Sequence, residues 1–154
     1  MGLQSSVGIA VGISATLPTT HDDEAATGFP SLTYTAAGKL NAAAPMTGTK
    51  DVATFDNLTT GEEEKLVDIL RAGNGDMSFG YDADDAGQAL LETAAEASDD
   101  ATSKVALEFT LNNGDKYYRL AIITSYTQEG SVGNVLMATV GTEFYRKHVK
   151  VAAP

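Results

Sequence analysis

The chain has 154 residues, 43% of them hydrophobic, with no cysteine, no tryptophan, two histidines and a formal net charge of −11. That length fits a single domain, residues 1–154, able to bury roughly 70% of the surface its unfolded form exposes. The composition excludes a disulfide framework and a thiolate metal site, and no apolar run approaches the ~20 residues of a membrane span, so the reading is of a soluble, cytosolically made protein. The charge is uneven: residues 1–100 hold 17 acidic and 4 basic residues, and residues 101–154 hold 4 and 6. An acidic surface of this kind disfavours counterion-driven binding of nucleic acid.

Residues 7–14 alternate strictly, with Val7, Ile9, Val11 and Ile13 on one face and Gly8, Ala10, Gly12 and Ser14 on the other. The pattern predicts a strand whose second face is small enough for another backbone or a neighbouring subunit to approach closely. Thr20 ahead of an acidic first turn (His21, Asp22, Asp23, Glu24) predicts a helix of one or two turns, stopped by Gly28 and Pro30. Residues 29–35 read as strand. Residues 36–61 are poor in large apolar side chains, and a loop of about 37–64 exceeds ordinary loop lengths, so it is expected to make contacts outside the domain. Residues 65–71 lean to strand, and Asn74-Gly75 predicts a hairpin over residues 66–81.

One clear helix follows at about residues 83–97, with Asp82 and Asp85 as caps and an apolar stripe of Ala86, Leu90, Leu91, Ala94, Ala95 and Ala97. Asn113-Gly114 then predicts a tight hairpin. A two-residue turn pairs Thr110 with Tyr117, Phe109 with Tyr118 and Glu108 with Arg119. This register puts Val105, Leu107, Phe109, Tyr118, Leu120 and Ile122 on a core face, and Glu108, Thr110, Tyr117 and Arg119 on a half-polar one. A last strand over residues 135–145 and a basic C-terminal arm of about 145–154 complete the chain. The fold class expected is mainly β, an antiparallel sandwich or partial barrel with one flanking helix.

No catalytic constellation emerges. Asp82, Asp84 and Asp85 resemble the start of a calcium loop, but the twelfth position holds Thr93 where a closing glutamate belongs, so helix capping is the reading. Glu62, Glu63 and Glu64 read as a solvated charge run. His21 and His148 are too far apart in sequence to suggest a shared site; they read as a surface residue and as part of a basic tail. No glycine-rich phosphate loop occurs. The expectation is a protein without catalytic, cofactor-binding or metal-binding residues.

Three segments in order carry a family resemblance: residues 27–34, Thr-Gly-Phe-Pro-Ser-Leu-Thr-Tyr; residues 82–91, Asp-Ala-Asp-Asp-Ala-Gly-Gln-Ala-Leu-Leu; and the Asn112-Asn113-Gly114-Asp115 hairpin followed by Gly130-Ser131-Val132-Gly133. Together they resemble the major tail tube proteins of bacteriophages with long, non-contractile tails. The resemblance implies a self-assembling structural protein of the virion tail, built in the host bacterial cytoplasm. Its homohexameric rings would stack into a tube, with a tape-measure protein, a tail-tip or initiator complex and a tail terminator as partners. DNA would pass through it without specific binding.

On that resemblance Lys39, Lys50, Asp51, Phe55 and Asp56 in the long loop, with Arg146, Lys147 and Lys150 in the C-terminal arm, become inter-ring or subunit contacts. Glu108, Thr110, Tyr117 and Arg119 become a lumen or subunit face. Deleting residues 42–58 is expected to leave a folded domain unable to form tubes. The alternative is a monomeric immunoglobulin-like binding or decoration domain on a virion surface; the absence of tryptophan and the placing of most Phe and Tyr in expected strands favour assembly.

Overall fold

The computed structural model describes residue 3 and residues 7–153. Among the described residues nine strands, two helices and a short 3-10 turn are arranged in the order β1 (Ala10–Ser14), the 3-10 turn (Phe29–Ser31), β2 (Thr35–Ala37), β3 (Leu40–Ala42), β4 (Thr49–Asn57), β5 (Glu62–Arg71), β6 (Asn74–Gly80), α1 (Ala86–Glu96), α2 (Asp100–Ser103), β7 (Lys104–Thr110), β8 (Lys116–Glu129) and β9 (Met137–Val151). Seven strands form one antiparallel sheet in the order β2-β1-β7-β8-β9-β6-β3, and β4 pairs with β5 alone. The two outermost strands, β2 and β3, are separated in sequence by Gly38 and Lys39 only. Three Cα–Cα steps span at most about 11 Å, so the sheet must curl until its edges nearly meet. The result is a partial barrel whose edge strands β2 and β3 meet at this corner without pairing with each other.

The side chains of β1 divide as their alternation requires. Val11 and Ile13 are buried in the main core with Met77, Phe79, Leu91, Leu107, Phe109, Ile123 and Val140. The small face of β1 is used within the chain: a Cβ on Gly12 would lie 2.9 Å from Cβ of Tyr34. Gly12→Val is therefore expected to destabilise the fold by about 1–3 kcal/mol, because the obstructing atom sits at the root of a side chain and cannot swing away. A urea unfolding curve checks this.

Around Tyr34 a second cluster of Phe29, Ala106, Tyr118 and Leu120 is packed on the outer face of β7 and β8. Phe29 and Tyr118 are stacked at 5.4 Å between centroids. The segment that supplies Phe29 and Tyr34 is irregular where a short helix and a strand were expected: residues 20–27 form turns, and Phe29–Ser31 is a 3-10 turn. Asp22 explains the turns, since its side chain accepts from Thr20 Oγ1 and from Glu24 N, and these local bonds compete with helical ones.

Helix α1 starts at Ala86. Asp85 is its cap, accepting from Gly87 N at 2.9 Å and Gln88 N at 3.1 Å. Asp82 does not cap; its carboxylate accepts from Asp84 N in the turn before the helix. The second Asp85 oxygen accepts from Gly38 N at 2.6 Å, so one carboxylate joins the helix to the β2–β3 corner. Gly87 lets α1 lie against β2, where a Cβ would meet Ala36 O at 2.5 Å. Asp85→Ala is expected to cost about 1–2 kcal/mol and Asp82→Ala less, read as the difference between their thermal midpoints.

The β7–β8 hairpin departs from its expected register by one residue. The observed pairs are Glu108 with Tyr118, Leu107 with Arg119 and Ala106 with Leu120. Its loop has three residues: Leu111 N bonds to Asp115 O, Gly114 N bonds to Leu111 O, and Gly114 sits at φ 93°. This is a turn followed by a left-handed glycine, the usual three-residue solution. Tyr118 and Leu120 accordingly face the second cluster, while Arg119 faces the main core.

Two further expectations are corrected by the pairing. Asn74-Gly75 is no turn, because both residues lie inside β6 and pair with β9; the chain turns instead at Gly73, φ 87°. The C-terminal arm is mostly strand: β9 pairs with β8 through Val151, opposite Lys116.

Candidate functional site

The long loop expected over residues 37–64 is folded as β3, β4 and the start of β5. Strands β4 and β5 form a two-stranded ribbon held by eight paired positions from Thr49–Arg71 to Asn57–Glu62, closed by Gly61 at φ 72°. Asn57 organises the turn, its side chain accepting from Thr59 N and Thr60 N. All ten residues of β5 are exposed.

Both faces of this ribbon carry exposed apolar side chains among charged ones. Val52 lies opposite Val67 and Ala53 opposite Leu66. Phe55 is 61% exposed, Leu66 and Val67 are each 69% exposed, and Ile69 is 55% exposed. An isolated two-stranded ribbon is marginally stable in water, and a contiguous exposed apolar surface marks an interaction site. The acidic residues of the ribbon are Asp51, Asp56, Glu62, Glu63, Glu64 and Asp68, against Lys50, Lys65 and Arg71. Asp51 is already engaged by Arg71 at 2.7 Å.

The ribbon is anchored at its base by a buried arginine. Arg119 is 1% exposed. Its Nη1 donates to Pro45 O at 3.0 Å and its Nη2 to Ala72 O, one carbonyl on each side of the ribbon. Its guanidinium lies 3.9 Å from the Phe144 ring centroid. Burial pushes Arg119 down to about 10, which leaves it charged at neutral pH. The expected register placed Arg119 on a half-polar lumen or subunit face; the observed register turns it inward. The expected polar face is also divided, since Glu108 and Thr110 lie on the outer face and Tyr117 lies beside Arg119 on the inner one. Glu108 meets Lys116 at 3.6 Å near Tyr118, and that aromatic packing pushes the Tyr118 and Tyr34 hydroxyls up by burial first and then by charge.

The remaining residues singled out from sequence fall in three places. Lys39 forms the β2–β3 corner at φ 63°, with its carbonyl accepting from Gly80 N. Lys50, Asp51, Phe55 and Asp56 lie on β4. Arg146 and Lys147 form a bulge in β9, Arg146 at φ 63°, where the register shifts between Tyr118 and Leu120; Lys150 lies beyond it, 3.8 Å from Asp115.

His21 and His148 both approach that bulge. His21 Nε2 bonds to Lys147 O and its ring meets Phe29 edge-on. The His148 ring packs near Tyr117, and burial, with the charges of Arg119 and Lys147, pushes its pKa down.

Gln88 was not singled out from sequence. It is 1% exposed and bonds to Gly38 O, Gly80 O and Asp82 N, closing the seam of the barrel. Its place between Gly87 and a leucine pair was the available signal, since a buried amide demands partners. Among the described residues no group of three or more His, Asp or Glu is placed to hold a metal ion, and no helix is long and apolar enough to cross a membrane.

This curled antiparallel sheet, one flanking helix and projecting ribbon define a phage-tail-tube-like fold. The chain is similar to the sheath/tube terminator of the extracellular contractile injection system PVC in its extended state, with TM-score 0.68 and 11% identity over 99% of both chains. It is similar to the tube-terminating cap of the anti-feeding prophage, with TM-score 0.63 and 13% identity over 99% of this chain and 93% of that one. A chain of the PVC sheath-tube complex matches with TM-score 0.62 and 10% identity over 98% and 93%. No protein-family model matches the sequence, and no curated protein matches it. The similar structures thus belong to contractile injection systems, where the sequence resembled non-contractile tails.

Proposed function

We propose that this chain is a structural subunit of a phage-like tail, assembling with copies of itself into hexameric rings that stack into a tube for genome delivery. The observation that carries the reading is the β4–β5 ribbon, whose apolar residues on both faces leave the domain's own core and need a second surface to cover them. The tail-tube-like fold supports it. Ribbons placed side by side would satisfy each other's strand edges. The six carboxylates of each would give the shared wall an acidic character that lets a phosphate backbone slide. The ribbon, together with Lys39 at the corner, replaces the β7–β8 faces as the proposed contact region, because both of those faces are covered within the chain.

A second reading is a terminator that forms one closing ring. The similarity to a sheath/tube terminator and a tube-terminating cap favours it. Negative-stain electron microscopy across concentration and salt, with the mass in solution, separates the two. Tubes support the tube subunit, isolated six-fold rings support the terminator, and a monomer that fails to add to tail-tip complexes or tubes opposes both.

A further inference from the structure

Beneath the ribbon, where it meets the β9 bulge, lies a cavity of about 310 Å³ whose charged lining is entirely cationic: Lys50, Arg71, Arg119 and Lys147, with His148 beside them. This is unusual in a chain of net charge −11. Arg119 Nε is buried and has no hydrogen-bond partner. The two Arg119 bonds that do exist go to neutral carbonyls, and Asp51, the carboxylate next in sequence to the lining residue Lys50, is held on Arg71. A buried guanidinium whose charge meets only neutral carbonyls costs free energy, and an oxyanion beside it offsets that charge. The lowered pKa of His148, caused by burial and then by Arg119 and Lys147, reports the same positive field.

We propose that this cavity is a binding site for a single oxyanion, a carboxylate or a phosphate group, seated against Arg119 and held by Lys50, Lys147 and His148. One source of carboxylate is the ribbon tip, where Asp56, Glu62, Glu63 and Glu64 cluster. With about nine residues per strand the ribbon is roughly 30 Å long, so its own tip lies far from its base and only the tip of a second copy reaches the cavity. That source rests on the assembly reading above; free phosphate does not.

The test uses the full chain and the variant Lys50→Gln/Lys147→Gln, whose altered side chains are exposed, so that Arg119 stays intact. Thermal midpoints are compared in phosphate and in chloride at matched ionic strength. Phosphate at ten times its Kd is expected to raise the wild-type midpoint by about 3–6 °C more than that of the variant. General salting effects act on both and cancel. Equal shifts in the two proteins would overturn the site.

Sedimentation velocity with Glu62→Gln/Glu63→Gln/Glu64→Gln then assigns the source. If the tip fills the cavity, phosphate weakens wild-type self-association and leaves the already weakened variant unaffected. If both proteins associate alike while the phosphate shift persists, the ligand is the free anion. A chain that stays monomeric, fails to add to tail-tip complexes or tubes, and keeps the phosphate shift retires the assembly reading and retains the site.

Discussion

Arg119→Ala is expected to destabilise the fold by about 3–5 kcal/mol, a large share of the ~5–15 kcal/mol typical of a domain. The substitution empties a fully buried volume beside Phe144 and removes the donors to Pro45 O and Ala72 O at once. Because those carbonyls flank the ribbon, the loss is also expected to free its base. Arg119→Met separates the contributions: it keeps most of the volume and the contact with Phe144 but not the donors, and should cost less than alanine. Arg119→Lys keeps the charge but cannot span two carbonyls with a planar fork, so it should not restore wild-type stability. Urea denaturation of the three variants checks the ranking. Wild-type stability in the alanine variant would mean that Arg119 holds nothing together.

Replacing residues 50–70 with an Asn-Gly turn is expected to abolish self-assembly while leaving the domain folded, with stability within about 1 kcal/mol of wild type. Thr49 and Arg71 are paired neighbours, so the ends are already positioned for a short closure. The residues removed are almost wholly exposed. The sequence suggested cutting at 42–58, but Ala44 is buried in the main core and Pro45 O accepts from Arg119, so that cut would damage the barrel. It would also leave β5 without its partner strand. Circular dichroism and electron microscopy give the readout. A shortened chain that still forms tubes or rings would remove the ribbon from the interface, and one that fails to fold would make it part of the domain.

Much of the architecture was legible from local pattern. The alternation at residues 7–14 put Val7, Ile9, Val11 and Ile13 on one face, of which Val11 and Ile13 are core while Val7 lies exposed ahead of a strand that begins at Ala10, and the acidic residues before residue 86 located the start of α1 to within a turn. The division between Asp82 and Asp85 was not legible, because each is a suitable cap and the choice depends on Asp85 also reaching Gly38, in the β2–β3 corner 47 residues away. The first strand of the ribbon was anticipated as a contact loop and most of the second as a strand paired with residues 74–81, but not their pairing with each other. The ribbon's leucines and valines are the residue types of a core strand, and sequence alone cannot distinguish a surface covered by its own chain from one offered to another.

The sequence by itself determined that the chain is β-rich, that it turns near Gly114, that one capped helix precedes that hairpin, and that cysteine chemistry is excluded. Tertiary structure decided the register and the closure. Residues 117–123 are apolar on both faces except for Arg119, so a slip of one residue carries little penalty in pattern, and Asn-Gly serves a two- or a three-residue loop equally well. The choice fell to long-range packing: Tyr118 stacks on Phe29 outside the barrel, and Arg119 finds two carbonyls and an aromatic ring inside it. Gln88 seals the seam only because β2 and β3, neighbours in sequence, become opposite edges of one curled sheet.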